Sequence, residues 1–335
     1  MTPLILGLTG PELSADERAF FADVDPAGFI LFRRNVETAE QLRALTDGLR
    51  EVAGRADVPI LIDQEGGRVA RMQPPVWPAF PRAELFDRLY DVAPASAIEA
   101  ARANAQAIAT MLFDAGINVN CLPLLDVRQP DAHDIIGDRA LGAEPLRVAA
   151  LGRAVIEGMQ AAGVVGVVKH IPGHGRAMAD SHVELPVVTA GETELERDLA
   201  PFIALAGAPM GMTAHVVYTA WDADECASLS ARVIGDVIRG RIGFDGLLMS
   251  DDLGMHALTG DFGERAAGVL KAGCDIALHC SGDMAEMVAI AGAVGPIGDA
   301  ARARLDRAMA TVAGRAPAIA FADLVARRDA LLAYA

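Results

Sequence analysis

Val164-Val165-Gly166-Val167-Val168-Lys169-His170-Ile171-Pro172-Gly173-His174-Gly175 sets an apolar run directly ahead of a lysine, two histidines and a turn rich in proline and glycine. Five apolar or small residues in a row suit a strand covered on both faces, and Pro172, Gly173 and Gly175 end it. Asp180-Ser181-His182 follows in the same loop. Titratable groups crowded behind a buried strand serve chemistry more readily than folding, so this stretch is both a fold signal and the first site candidate.

The same arrangement recurs on either side. Toward the N-terminus, Leu4 to Leu8 is apolar, Gly28 to Phe32 ends in Arg33-Arg34-Asn35, and Val58 to Ile62 ends in Asp63-Gln64-Glu65-Gly66-Gly67-Arg68, with Arg71 close behind. Ile117 to Asn120 leads to Asp126, and Gly137-Asp138-Arg139 lies further along that loop. Toward the C-terminus, Met210 to Ala214 ends at His215, Gly246 to Met249 ends at Ser250-Asp251-Asp252, and Asp275 to His279 closes the series. Helical patterns lie between these runs. One begins at Thr38, with Gln41 placed to complete a cap and Leu42, Leu45, Leu49 and Val52 on one face. Others run around Ile98 to Leu112, Leu146 to Met159, Leu195 to Leu205 and Ala266 to Lys271, and Ser228 or Ser230 caps another.

Eight strands, most followed by a helix, predict an α/β chain folded as a single-domain (β/α)8 barrel, because strands this apolar must be covered on both faces. A doubly wound open sheet is the alternative that the same alternation permits. In the barrel, the groups at the strand ends gather at one mouth, which places Asp63, Arg71, Arg139, Lys169, His170, His215, Asp251 and Asp252 together. Beyond Ile297, helices over Ala301 to Val312 and Phe321 to Tyr334 are expected to pack on the outside, all within one catalytic unit spanning residues 1–335.

A chain of 335 residues, 52% hydrophobic and 22% charged, has enough apolar material for one large core. Its formal net charge of −16 argues against nucleic acid or an anionic membrane as partner and favours a small molecule. The first residues lack a basic leader and a long apolar region, and no apolar run is long enough to span a bilayer, so a cytoplasmic location is expected. Cys121, Cys226, Cys274 and Cys280 have no zinc-ribbon or CxxC spacing and read as reduced core residues.

An aspartate at a strand end, such as Asp251, can attack an anomeric carbon to give a glycosyl-enzyme intermediate, the retaining route of glycoside hydrolysis. The bland reading of Asp251 and Asp252 is a helix cap. Asp180, two residues from His182, can orient and activate that imidazole for proton transfer, although an Asp-x-His pair also suits a surface loop. Lys169, His170, Asp63, Arg71 and Arg139 can hydrogen-bond a polyhydroxylated ligand or form ion pairs around the rim. His170, His174 and His182 with an aspartate would also match a metal-dependent hydrolase in composition, though neither HxH nor HExxH spacing is present.

These segments, with Ile136-Gly137-Asp138-Arg139, Met212-Thr213-Ala214-His215 and Ser250-Asp251-Asp252-Leu253-Gly254-Met255, resemble in identity and order those of glycoside hydrolase family 3, in its bacterial β-N-acetylglucosaminidase branch. The likeness runs from about Leu4 to Asp275, with Ile171 where the family often has Phe. It implies a (β/α)8 barrel that removes terminal β-linked N-acetylglucosamine with retention and uses no metal or organic cofactor. Asp251 matches the family's nucleophile, His182 with Asp180 its acid/base pair, and Asp63, Arg71, Arg139, Lys169 and His170 its sugar-holding positions. The second domain that usually carries the acid in family β-glucosidases has no counterpart here, which favours the histidine mechanism. By the same resemblance the substrates are cell-wall turnover products, N-acetylglucosaminyl-anhydromuramic acid and its peptides. A β-glucosidase or a glycosyl phosphorylase on the same barrel remains the related alternative.

Overall fold

The computed structural model describes residues 1–130, 132–181 and 183–334. The first half of the barrel comprises β1 (Thr2–Leu6), α1 (Ala15–Val24), β2 (Pro26–Leu31), α2 (Ala39–Ala53), β3 (Ile60–Ile62), α3 (Glu84–Val92), α4 (Pro94–Asp114), β4 (Val119–Asn120) and α5 (Pro145–Ala161). The second half comprises β5 (Val165–Ile171), β6 (Val187–Val188), α6 (Glu192–Ala204), β7 (Met210–Thr213), β8 (Val217–Tyr218), a π-helix over Val233–Arg241, β9 (Leu247–Asp252), α7 (Phe262–Ala272), β10 (Ile276–His279) and α8 (Met284–Ala293). Two further helices, α9 (Asp299–Ala310) and α10 (Phe321–Leu332), complete the chain.

Eight parallel strands close in the order β1-β10-β9-β7-β5-β4-β3-β2, and the β1–β10 pairing rules out the open doubly wound sheet. Every strand run read from the sequence is one of these eight. The remaining strands, β6 and β8, pair with each other outside the barrel. Alternation along a strand divides the apolar residues between two cores. Ile5, Ile30, Leu61, Val165, Val167, Leu247 and Ile276 fill the barrel, while Leu4, Leu6, Phe29, Leu31, Ile60 and Ile62 meet the helices. Leu305, Ala308 and Met309 of α9 belong to the inner cluster, and Arg304 of α9 pairs with Asp275, which precedes β10. That helix therefore closes the N-terminal end of the barrel, opposite the charged strand ends. α10 packs on α4, where Arg328 donates to Asn104 and lies over the Phe80 ring.

Local capping explains several boundaries. Thr38 accepts from the Gln41 N–H at 3.1 Å, while the Gln41 side chain accepts from Glu37, one residue earlier than a reciprocal cap would require. Ser230, rather than Ser228, caps the π-helical segment by accepting from Val233 at 3.0 Å. Missing from the sequence reading are α1, α3 and α8; α1 sets the charged Asp16-Glu17-Arg18 ahead of Ala19-Phe20-Phe21-Ala22 and shows no dominant apolar face, and Ser14 and Glu17 form its capping box.

Two register shifts determine how the site is presented. Between Val168 and Ile171, β5 advances three residues while β7 advances two. Between Met249 and Asp252, β9 advances three while β10 advances two. Each shift sits where two consecutive polar residues occur, Lys169-His170 and Asp251-Asp252. An extra residue of this kind breaks strict alternation, so that both neighbours can border one cavity.

Candidate active site

A cavity of about 390 Å³ opens at the C-terminal ends of the strands. Asp63, Glu65, Arg71, Arg139, Lys169, His170 and Asp251 line it, together with Asp252, His174, Ser181, Phe32 and Met212. Seven of the eight residues placed at the mouth from the sequence, Asp63, Arg71, Arg139, Lys169, His170, Asp251 and Asp252, thus converge from four strands, β3, β4, β5 and β9, or the loops that follow them, and Glu65 joins them from the quoted β3 segment. Asp180 adjoins the lining residue Ser181, and its carbonyl accepts from Val183 and Glu184. His182 lies outside the described residues. His215 does not reach the cavity: it is fully buried, donates through Nε2 to the Asp252 carbonyl at 3.0 Å and lies 2.6 Å from the Ser228 hydroxyl.

Four of the five sugar-holding candidates, Asp63, Arg71, Arg139 and Lys169, form one ionic network with Glu65. Lys169 Nζ is 3.1 Å from Asp63 Oδ1 and 2.8 Å from Glu65 Oε1. Arg71 reaches Asp63 Oδ2 at 3.0 Å, and Arg139 grips both Glu65 oxygens at 2.8 Å each. Burial alone would raise the two carboxyls; Lys169 with Arg71 outweighs it at Asp63, and Lys169 with Arg139 at Glu65, so both lie below the usual carboxylate range. The same attraction overcomes burial at Lys169 and Arg139 and raises both. All four groups are therefore charged at neutral pH. Arg71 also lies over the Phe32 ring at 5.0 Å, which fixes its plane at the rim.

Glu65 and Asp126 carry more of the site than their sequence context suggested. Asp126 is fully buried and accepts from the His170 and His174 backbone N–H groups at 3.2 and 2.6 Å. Its other oxygen takes the His170 Nδ1 proton at 2.7 Å. That leaves His170 Nε2 to meet a ligand hydroxyl. Burial opposes the Asp126 charge, but His170 and then His174 hold its carboxyl down at about 2. Since this value lies below that of an unfolded aspartate, Asp126 stabilises the fold fully above about pH 4 and loses that contribution as pH falls toward 2. Asp126→Asn should cost about 2–3 kcal/mol at pH 7, with the gap from the parent narrowing below pH 4. Urea unfolding midpoints across that range check it; a gap independent of pH would contradict the assignment.

His174 is not a proton-transfer group here. Burial pushes its imidazole down to about 4, and Nε2 lies 3.3 Å from Ser181 Oγ, so it stays neutral and ties two parts of the loop together. His279 is fully buried, with Nε2 3.0 Å from Glu286 and 2.8 Å from Ser281 Oγ, and serves the packing of the strand end.

Asp251 stands on the cavity floor, 8% exposed, and its Oδ1 accepts from the Asp252 N–H at 2.9 Å. Asp252 turns to the backbone, where Oδ1 accepts from Gly254 and Cys280 at 3.0 Å each. Asp251 thus presents its carboxylate to the cavity, while Asp252 caps the turn at Gly254 and not a helix: the next helix, α7, is capped by Asp261, so the helix-cap reading of the pair does not hold. The arrangement offers a nucleophile beside a set of fixed, charged donors and acceptors.

The family model described as "Glycosyl hydrolase family 3 N terminal domain" matches residues 5–314. A protein named beta-hexosaminidase from Alkalilimnicola ehrlichii is 40% identical over 284 residues, covering 83% of this chain and 80% of its own. One of the same name from Xylella fastidiosa is 40% identical over 284 residues, covering 83% of each. Among solved structures, NagZ from Neisseria gonorrhoeae in complex with N-trifluoroacetyl-D-glucosamine superposes with a TM-score of 0.88 at 30% identity, over 99% of this chain and 98% of that one. A glycoside hydrolase family 3 β-N-acetylglucosaminidase from Paenibacillus sp. str. FPU-7 gives 0.80 at 32% identity, over 98% and 61%.

Proposed function

The chain belongs to glycosyl hydrolase family 3 and is a β-N-acetylhexosaminidase, and from that premise we propose that it is a retaining exo-acting enzyme working through a covalent glycosyl-Asp251 intermediate. The observation that carries the reading is the Asp251 carboxylate, held by one backbone N–H on the floor of a cavity whose other acidic and basic lining residues are engaged with partners.

In the first step Asp251 attacks the anomeric carbon from beneath the sugar while the His182 imidazole, oriented by Asp180, protonates the departing oxygen. In the second, His182 takes a proton from water, which attacks the anomeric carbon and releases Asp251. Lys169, Asp63 and His170 Nε2 hold the hydroxyls, and Arg71 sits at the rim. Arg139, engaged by Glu65, holds the wall in place and fixes Glu65 against Lys169. No metal or organic cofactor takes part. The substrates we propose are N-acetylglucosaminyl-anhydromuramic acid and its peptides, products of peptidoglycan turnover in the cytoplasm, and neither nucleic acid nor a membrane is a partner. The described residues contain no helix long and apolar enough to cross a membrane.

Paired aryl glycosides test the reading. Expected is release from the 2-acetamido sugar at least about 10²-fold faster than from the 2-hydroxy sugar, unaffected by phosphate, with the β-anomer as the first product. Preference for the 2-hydroxy sugar would indicate a glucosidase, a sugar phosphate as product a phosphorylase, and first release of the α-anomer would exclude retention.

A further inference from the structure

The loop after β5 is tied down by a side-chain pair that the reaction scheme does not use. Arg176 lies in this loop, four residues before Asp180. Its Nε donates to Asp198 Oδ2 of α6 at 2.5 Å, and its Nη2 donates to the Glu194 carbonyl at 3.3 Å. Asp198 is buried, and its other oxygen accepts from Gln129 Nε2 at 3.5 Å. Gln129 belongs to the loop after β4, which also carries Arg139. One carboxylate on a rigid helix thus meets two of the loops that border the cavity.

The loop also has anchors on either side of Arg176 that do not involve its side chain, among them the Ala257 N–H, which donates to the Ser181 carbonyl at 3.3 Å. Tyr218 donates to the Gly173 carbonyl at 2.8 Å, Asp126 accepts from the His174 N–H, and the His133 N–H donates to the Ala177 carbonyl at 3.0 Å. At Gly175 the loop lies so close to Val127 that a Cβ would come within 2.0 Å of its carbonyl oxygen. These backbone contacts stay when the Arg176 side chain is removed. Among the described residues, Arg176 supplies the ion pairs that join this loop to α6.

We propose that Arg176 and Asp198 are positioning residues for proton transfer, a clasp that holds the Asp180–His182 segment within reach of the leaving-group oxygen. The inference rests on the acid/base reading of that segment. Proton transfer requires hydrogen-bond reach, so a loop released from α6 loses acid catalysis while the nucleophile and the sugar-holding network keep their places. The defect is therefore selective for leaving groups that need protonation.

The test compares kcat/KM for a disaccharide, whose sugar leaving group needs an acid, with that for a dinitrophenyl glycoside, which does not. Arg176→Ala should lose about 10- to 100-fold on the first and less than about threefold on the second, a fraction of the roughly 10²–10⁴-fold that general acid catalysis contributes. Arg176→Lys should recover part of the loss, and Asp198→Asn should follow the alanine variant. Thermal unfolding is followed for each protein, and the half-buried Arg176 carries the test alone if Asp198→Asn does not fold. Equal losses on both substrates, or none on either, would overturn the clasp. His182→Ala in the same series separates the two failures. If it is selective and Arg176→Ala is not, the clasp alone falls; if it is equally impaired on both substrates, the acid/base reading falls and the clasp with it.

Discussion

Asp251→Asn should reduce turnover of N-acetylglucosaminides by about 10⁴-fold or more while leaving the protein folded. The amide is isosteric with the carboxylate, and its oxygen can still accept from the Asp252 N–H, the bond that orients Asp251. What it loses is the negative charge, and with it the nucleophilicity needed to attack the anomeric carbon. Asp252, one residue away, borders the same cavity but cannot take over, because its carboxylate is held by the Gly254 and Cys280 N–H groups. Far-UV circular dichroism and the unfolding midpoint should match the parent. A fluorinated slow substrate should label Asp251 in the parent protein, with peptide mapping identifying the ester. A label on any other residue, or a variant retaining more than about 1% of activity, would end the assignment.

Lys169→Met should be the most damaging change to the fold among the cavity residues. The ammonium is nearly buried, with its side chain 3% exposed, and stands between Asp63 and Glu65. Methionine preserves much of the bulk but leaves both carboxylates short of one cation, in surroundings where an uncompensated buried charge costs about 3–5 kcal/mol. Arg71 and Arg139 remain and soften the loss at each acid. Activity should fall by about 10- to 100-fold beyond any loss of folded protein, since a charged hydrogen-bond donor to the sugar is gone. Denaturant titration together with kcat/KM checks both effects. Adding Asp63→Asn to Lys169→Met should recover part of the stability by removing one of the unpaired charges, though not the activity. A single variant within about 1 kcal/mol of the parent would show that the network is not the support described here.

Much of the barrel was legible because its signals are local. Val164 to Val168, Val58 to Ile62 and the other short apolar runs could only be strands covered on both faces, and glycines and caps separated them from the helices. The helix α1 was not legible, since its residues show no dominant apolar face. Within the site, the charged strand ends identified Asp63, Lys169, His170 and Asp251 by position. Asp126 and Glu65 stood in the same quoted segments, yet nothing in their immediate neighbours reveals that one orients His170 and the other joins Lys169 to Arg139. His215 shows the converse: it ends a strand as Asp251 does, but the chain turns it under the cavity floor.

The alternation of strands and helices and the gathering of polar groups at strand ends were legible in the sequence alone, because hydrophobic periodicity and turn chemistry act over a few residues, whereas closure into a barrel instead of an open sheet was decided by the β1–β10 pairing. Tertiary structure decided which polar residue does what. Lys169 meets Asp63 across 106 positions of sequence, and a pairing over that distance depends on barrel closure. Lys169 and His170 share one cavity, as do Asp251 and Asp252, because β5 and β9 each carry one residue more than the neighbouring strand against which they shift register. Such an offset exists only between paired strands, so the physical basis of the site's final geometry lies in their packing and in no single stretch of chain.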